Sequence, residues 1–446
     1  MVEVDQQIVP ESQEIEEILI GEYDPHSHRL VEKPTSTIET FVHILKAALG
    51  TGVLAMPEAF KYAGYVNGVI STCLIGFICV HCLLILIRCQ YVLCKRHQVP
   101  ILTYPKLMQL SLQAGPPFLR WLEQPSLWVV DMFLILDQLG ICCVYIVFVA
   151  ANIKHLIDAN FLELDIRIHM AILIIPFASI FLIRDLKTLV PFSQLANTVT
   201  IVALGMICYY LHQGQLTFHG KQPMADVRFY PLFFGTVLFS LESVGLIMSL
   251  EQNMKDPKRF GGWFGILSIG MAILVVLYIL IGFFGYLKYG NESLGSVTLN
   301  IPRTEILAII IDVLFTVAIF MSYALQGYVI VEIVWHQSLK EKYPNKKHDL
   351  MYEYAIRLLV IFVTFSLAIL IPRLGLFISL LGALCLSILG LLFPAIIEIC
   401  VSYPNNYGRF YHVILKCSFI ILLGLFAFGS GTYRSIQDIV LSFRKS

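Results

Sequence analysis

Charge is scarce in this chain of 446 residues: Asp, Glu, Lys and Arg together make up 14%, against about 25% in an ordinary soluble domain. With 57% hydrophobic residues beside that figure, a soluble globular enzyme is excluded. Lys+Arg and Asp+Glu balance at 31 each. No basic block occurs, so nucleic acid is not an expected partner. The N-terminus lacks the basic start, short apolar core and small-residue cleavage site of a secretory signal. Also missing are an H-E-x-x-H pair, a G-x-S-x-G elbow and a phosphate-binding glycine loop. No enzymatic activity, metal site or cofactor is expected.

Long apolar runs are abundant. Runs of the roughly 20 residues that cross a bilayer fall near 38–63, 66–90, 126–151, 168–184, 190–211, 229–251, 263–287, 305–336, 354–371, 374–401 and 410–431. The expected fold class is an all-α polytopic membrane protein of eleven transmembrane helices. Placing the N-terminus in the cytosol puts 17 Lys and Arg on the inner side and 7 outside, so the positive-inside rule orients the chain that way. The sequon Asn291-Glu292-Ser293 then lies outside, making Asn291 a candidate glycosylation site. None of the eleven cysteines falls in an outer loop, which leaves no exofacial disulfide framework. The first 36 residues carry nine acids and read as a disordered cytosolic tail, able to hold a signalling partner. Residues 91–125 read as a loop or an interfacial helix, and 438–446 as a short C-terminal tail.

Two spans are interrupted in matching places. Leu49-Gly50-Thr51-Gly52-Val53 sets two glycines at the centre of the first, with Pro57 beyond. Phe239-Ser240-Leu241-Glu242-Ser243-Val244-Gly245 disturbs the sixth. Glycine costs a helix about 1 kcal/mol per position and proline about 3, and lipid cannot satisfy freed backbone groups. Interruptions at corresponding positions of two halves point to an inverted-repeat transporter with its site at the midplane. The halves are about 38–211 and 229–401 of a transporter domain spanning 37–437, with 410–431 as an extra span.

At these residues the sequence resembles the proton-coupled amino acid transporters of the amino acid/auxin permease superfamily. The likeness is carried by His43-Ile44-Leu45-Lys46, Gly50-Thr51-Gly52-Val53-Leu54-Ala55-Met56-Pro57 and Ala63-Gly64. It continues in Gln138-Leu139-Gly140 with Val144-Tyr145-Ile146-Val147-Phe148, in Leu250-Glu251-Gln252-Asn253-Met254-Lys255-Asp256-Pro257-Lys258, and in Tyr323-Ala324-Leu325-Gln326 with Tyr328 and Glu332. The resemblance implies a five-plus-five inverted repeat plus one helix, H⁺ symport with no other cofactor, and small neutral amino acids of the glycine, alanine and proline class as substrates. It places the protein in the plasma membrane or a lysosomal (vacuolar) membrane. Ser243 and Glu58 depart from the family pattern.

A zwitterion needs donors for its carboxylate and acceptors for its ammonium. Gly50, Thr51, Gly52 and Val53 supply backbone N–H groups at a half-helix N-terminus, where the dipole favours an anion. Carbonyls of Phe239, Ser240 and Leu241, with Glu242 and Ser243 beside them, face the ammonium. Tyr145 and Tyr323 are the candidates for contact with the substrate side chain. His43, which titrates near pH 6.5, and Glu242 are the candidates for the coupled proton. Asp131 and Glu398 read as solvated span ends, and Asp312 as part of a path from outside. Two other readings stay open: an amino acid sensor of the lysosomal membrane with little transport, and Na⁺-coupled transport on the same scaffold.

Overall fold

The computed structural model describes residues 23–29, 31, 34–157, 164–184, 186–213, 216–241, 244–302, 305–339, 349–404, 407–408 and 411–445. The helices that matter here are α1 (Thr37–Ala48), α2 (Thr51–Ala63), α3 (Tyr65–Arg96), α4 (Tyr104–Ala114), α5 (Glu123–Ile157), α6 (Ile166–Phe181) and α7 (Leu186–His212). They continue as α8 (Tyr230–Ser240), α9 (Val244–Gln252), α10 (Ile266–Tyr289), α11 (Ile306–Val331), α12 (Asp349–Leu370), α13 (Leu374–Val401) and α14 (His412–Arg444).

Among the described residues, nine helices are long and apolar enough to cross a membrane alone, and α1 with α2 form a tenth span bent by 51°. The remaining expected span is α6, whose 16 residues fall short of the roughly 20 that cross a bilayer. The bend in span one sits where the two glycines predict it. Gly50 caps α2 in extended conformation, with φ −118° and ψ −152°.

α2 lies at the centre of the molecule, packed against α8 on one side and α10 on the other. Lipid tails are as apolar as leucine, so close packing, rather than exclusion from water, holds such helices together. Small residues make it available. Phe60 seats against Gly282, where a Cβ would stand 2.5 Å from the ring. α11 packs between α5 and α7, and α13 against α8.

Both chain ends differ from expectation. Residues 23–29, 31 and 34–36 form a strap docked on the end of the molecule where α9 finishes, rather than a disordered tail; residues 1–22, 30, 32 and 33 lie outside the described set. Thr35 pairs with Asn253 and Lys255 through backbone hydrogen bonds of 2.9 Å each. The Arg29 guanidinium donates to Glu251 Oε1 at 3.0 Å and to Pro100 O at 3.1 Å. At the other end α14 runs on through Arg444, so the last span and the expected tail are one helix. Glu398 is likewise no solvated terminus: it is buried, paired with Lys416 at 2.8 Å. The 91–125 connection contains α4, whose Tyr104, Leu107, Met108 and Leu112 are buried against α5 and α13.

Candidate functional site

The two interrupted spans meet at their breaks. α1 ends at Ala48, whose carbonyl accepts from the Tyr278 hydroxyl of α10. The first amides of α2, at Thr51, Gly52 and Val53, have no acceptor within their own helix. Ser240, at the end of α8, donates to Gly52 O at 2.9 Å and to Thr236 O at 2.8 Å. Its backbone is so near that a Cβ at Gly52 would stand 2.6 Å from Ser240 Cα. Only glycine admits this approach.

Gly50, Thr51, Gly52, Val53, Phe239, Ser240 and Leu241 are therefore gathered as expected, and all but half-buried Gly50 are buried. Tyr145 of α5 joins them: its hydroxyl stands 3.8 Å from where a Gly50 Cβ would be. Glu242 and Ser243 lie outside the described residues. Tyr323 is not brought to the break. Its hydroxyl is hydrogen-bonded to Thr364 at 3.0 Å and its ring packs edge-on against Phe177 and Phe181, which makes it a packing group between α6, α11 and α12. His43 is exposed on α1, one turn from Glu39 and from Lys46. Asn291 is exposed on the loop after α10.

A cavity of about 420 Å³ opens directly beside the breaks. It is lined by Ala47 of α1, Gly245 of α9, residues of α5 and α11, and Thr103–Pro105. It extends toward the face that carries the strap. Beyond the breaks the first turns of α2 and the end of α8 are closely packed. A second cavity, of about 710 Å³, lies among Glu58, Arg373, Arg434 and Asp438. There Glu58 accepts from the Tyr62 hydroxyl at 3.1 Å. Asp131, expected as a solvated end, lines the first cavity together with Gln138. Asp312 is buried and paired with His155 at 2.8 Å.

Sequence comparison agrees with this architecture. Residues 33–437 match the family described as "Transmembrane amino acid transporter protein". The chain belongs to that amino acid/auxin permease family. It is 35% identical over 438 residues, 98% of this chain and 92% of the other, to "Proton-coupled amino acid transporter-like protein pathetic" of Drosophila melanogaster. It is 24% identical over 422 residues, 91% of each chain, to "Amino acid transporter AVT3C" of Arabidopsis thaliana. A family transporter needs a path through the bilayer and a place where that path is blocked. In this chain the 420 Å³ cavity lies beside the breaks.

Sequence reasoning missed the Arg29–Glu251 latch and the cavity-facing role of Asp131. A signal existed for the second: Asp131, Gln138, Tyr145 and Asn152 are spaced by seven, which keeps them within about 20° per step on one helix face.

Proposed function

We propose that this protein carries small neutral amino acids, of the glycine, alanine and proline class, across its membrane together with a proton, by alternating access around the two broken spans. The observation that carries this reading is the contact of Gly52 with Ser240 where the two broken spans meet, beside the 420 Å³ cavity. A helix start with free amides, facing the end of another half-helix, offers the donor and acceptor poles that a zwitterion needs. α6 counts as the eleventh span, crossing beside longer neighbours. The face holding the strap is the cytosolic one under the positive-inside rule, so the 420 Å³ cavity lies on the inner side of the breaks. The substrate carboxylate meets the Thr51–Val53 amides, and the ammonium meets the carbonyls at the end of α8. The name of the Drosophila relative, a proton-coupled amino acid transporter-like protein, supports proton coupling.

Uptake of radiolabelled glycine, alanine, proline and leucine into proteoliposomes, at acidic and neutral outside pH and with or without Na⁺, tests the proposal. Acid-stimulated, Na⁺-independent uptake of the small substrates is the expected result. Uptake that ignores the proton gradient and vanishes without Na⁺ overturns the coupling.

A further inference from the structure

The sole charged side chain lining the 420 Å³ cavity among the described residues is Asp131. Its Oδ1 is shielded from solvent and has no hydrogen-bond partner among the described residues. The same holds for Oε1 of Gln138, which lines the same cavity two turns deeper in α5. Both atoms are acceptors. Their spacing of seven residues is about 10 Å of helix rise on one face, and the next step on that face is Tyr145, at the breaks. Beyond it Asn152 is already occupied, accepting from Thr298 at 2.8 Å. On this face of α5, among the described residues, the vacant acceptors lie on the cavity side of Tyr145.

From this we infer that Asp131 forms an inner binding station for the ammonium group of an amino acid leaving the breaks, and that Gln138, about 10 Å closer to them, is a separate acceptor met earlier on the same way out. The inference rests on the transport reading above and adds a substrate filter to it. An unpaired carboxylate oxygen shielded from water is unfavourable, and a bound ammonium supplies the missing donor and opposite charge. A metal ion is a poorer match, since it needs several oxygens closing around it and these two are about 10 Å apart along the helix. The substrate carboxylate finds amide donors across the cavity on Gln326 and Gln337 and no cation. Acidic amino acids, carrying a second carboxylate past Asp131, are disfavoured. Gly245 lines the cavity too, with nothing among the described residues within 4 Å of a Cβ built there, so the side chain of a neutral substrate has room.

Equilibrium binding to the purified full-length protein tests this, with three probes: alanine, ethylamine, which keeps only the amine, and propionate, which keeps only the carboxylate. In Asp131→Asn, alanine and ethylamine should bind about tenfold more weakly, the loss of one charge-assisted hydrogen bond. Propionate should bind no worse, Asp131→Glu should restore alanine binding, and glutamate should become a better competitor. Unchanged ethylamine binding in Asp131→Asn overturns the proposal. So does intact alanine binding coupled to uptake that no longer responds to a proton gradient, which would make Asp131 a proton carrier. If Asp131→Asn does not fold, Gln138→Met applies the same test to the deeper acceptor, with the same reversal by unchanged ethylamine binding. Failure of the underlying transport reading looks different: the unsubstituted protein then takes up no neutral amino acid at all.

Discussion

Gly52 and Ser240 set the distance between the two interrupted spans, and each carries a separate consequence. Gly52→Ala forces a methyl into a gap of 2.6 Å against backbone. Overpacking of this kind costs about 1–3 kcal/mol, so a melting temperature in detergent should fall and uptake should be lost. Ser240→Ala leaves the helices in place and removes one hydrogen bond to Gly52 O, worth about 1 kcal/mol. Uptake should persist with a milder loss of thermal stability; equal loss in the two variants would contradict the assignment of the close approach to the glycine. The glycine cluster was legible as a break because its helix cost has no other local explanation. Tyr323 was not separable from Tyr145 by sequence, since a tyrosine packed with Thr364 and one facing a break both sit in apolar spans.

At the scale of elements, the strap and α12 each carry a prediction. His26 stacks on Tyr91 and lies 3.7 Å from Glu251, beside Arg29, Asp24 and Lys258. Burial first, and then Arg29, hold its pKa below 6.5, against the pull of Asp24. The docked strap therefore prefers neutral imidazole. That contribution is complete above pH 6.5 and fades as pH falls through the lowered value. Hydrogen exchange over 23–36 should accelerate on mild acidification, and His26→Gln should blunt the pH response; an acceleration unaltered in His26→Gln would assign it elsewhere. On α12, Arg357 is fully buried, donating to Glu353 and to Phe181 O at 2.7 Å. Arg357→Leu leaves Glu353 with Arg184 as its remaining cation. Because Arg184 still compensates Glu353, the cost falls below the about 3–5 kcal/mol of a buried charge left wholly unpaired, readable as a moderate drop in melting temperature. Hydropathy placed α12 but not this pair, because a charge in a span looks the same whether it faces lipid or a partner. The strap was equally hidden: nine acids suggest disorder, while its docking depends on Arg29 meeting Glu251, 222 positions away.

For the molecule as a whole, the separation of charge from lipid was readable, as were the positions of nearly every span. Span lengths follow from hydropathy, and interruptions from glycine and proline. The place of the 420 Å³ cavity was not readable, since it depends on how α1, α5, α9 and α11 pack around the break rather than on any local run. The central claim is that amino acid and proton move together past that break. Proteoliposomes carrying a pH dye inside, with no Na⁺ and with membrane voltage clamped by K⁺ and valinomycin, test it most directly. Addition of alanine outside should acidify the interior, and an imposed inward proton gradient should concentrate labelled alanine above its outside level. Alanine entry with no accompanying acidification, stopping at equal concentration on both sides, would contradict the account.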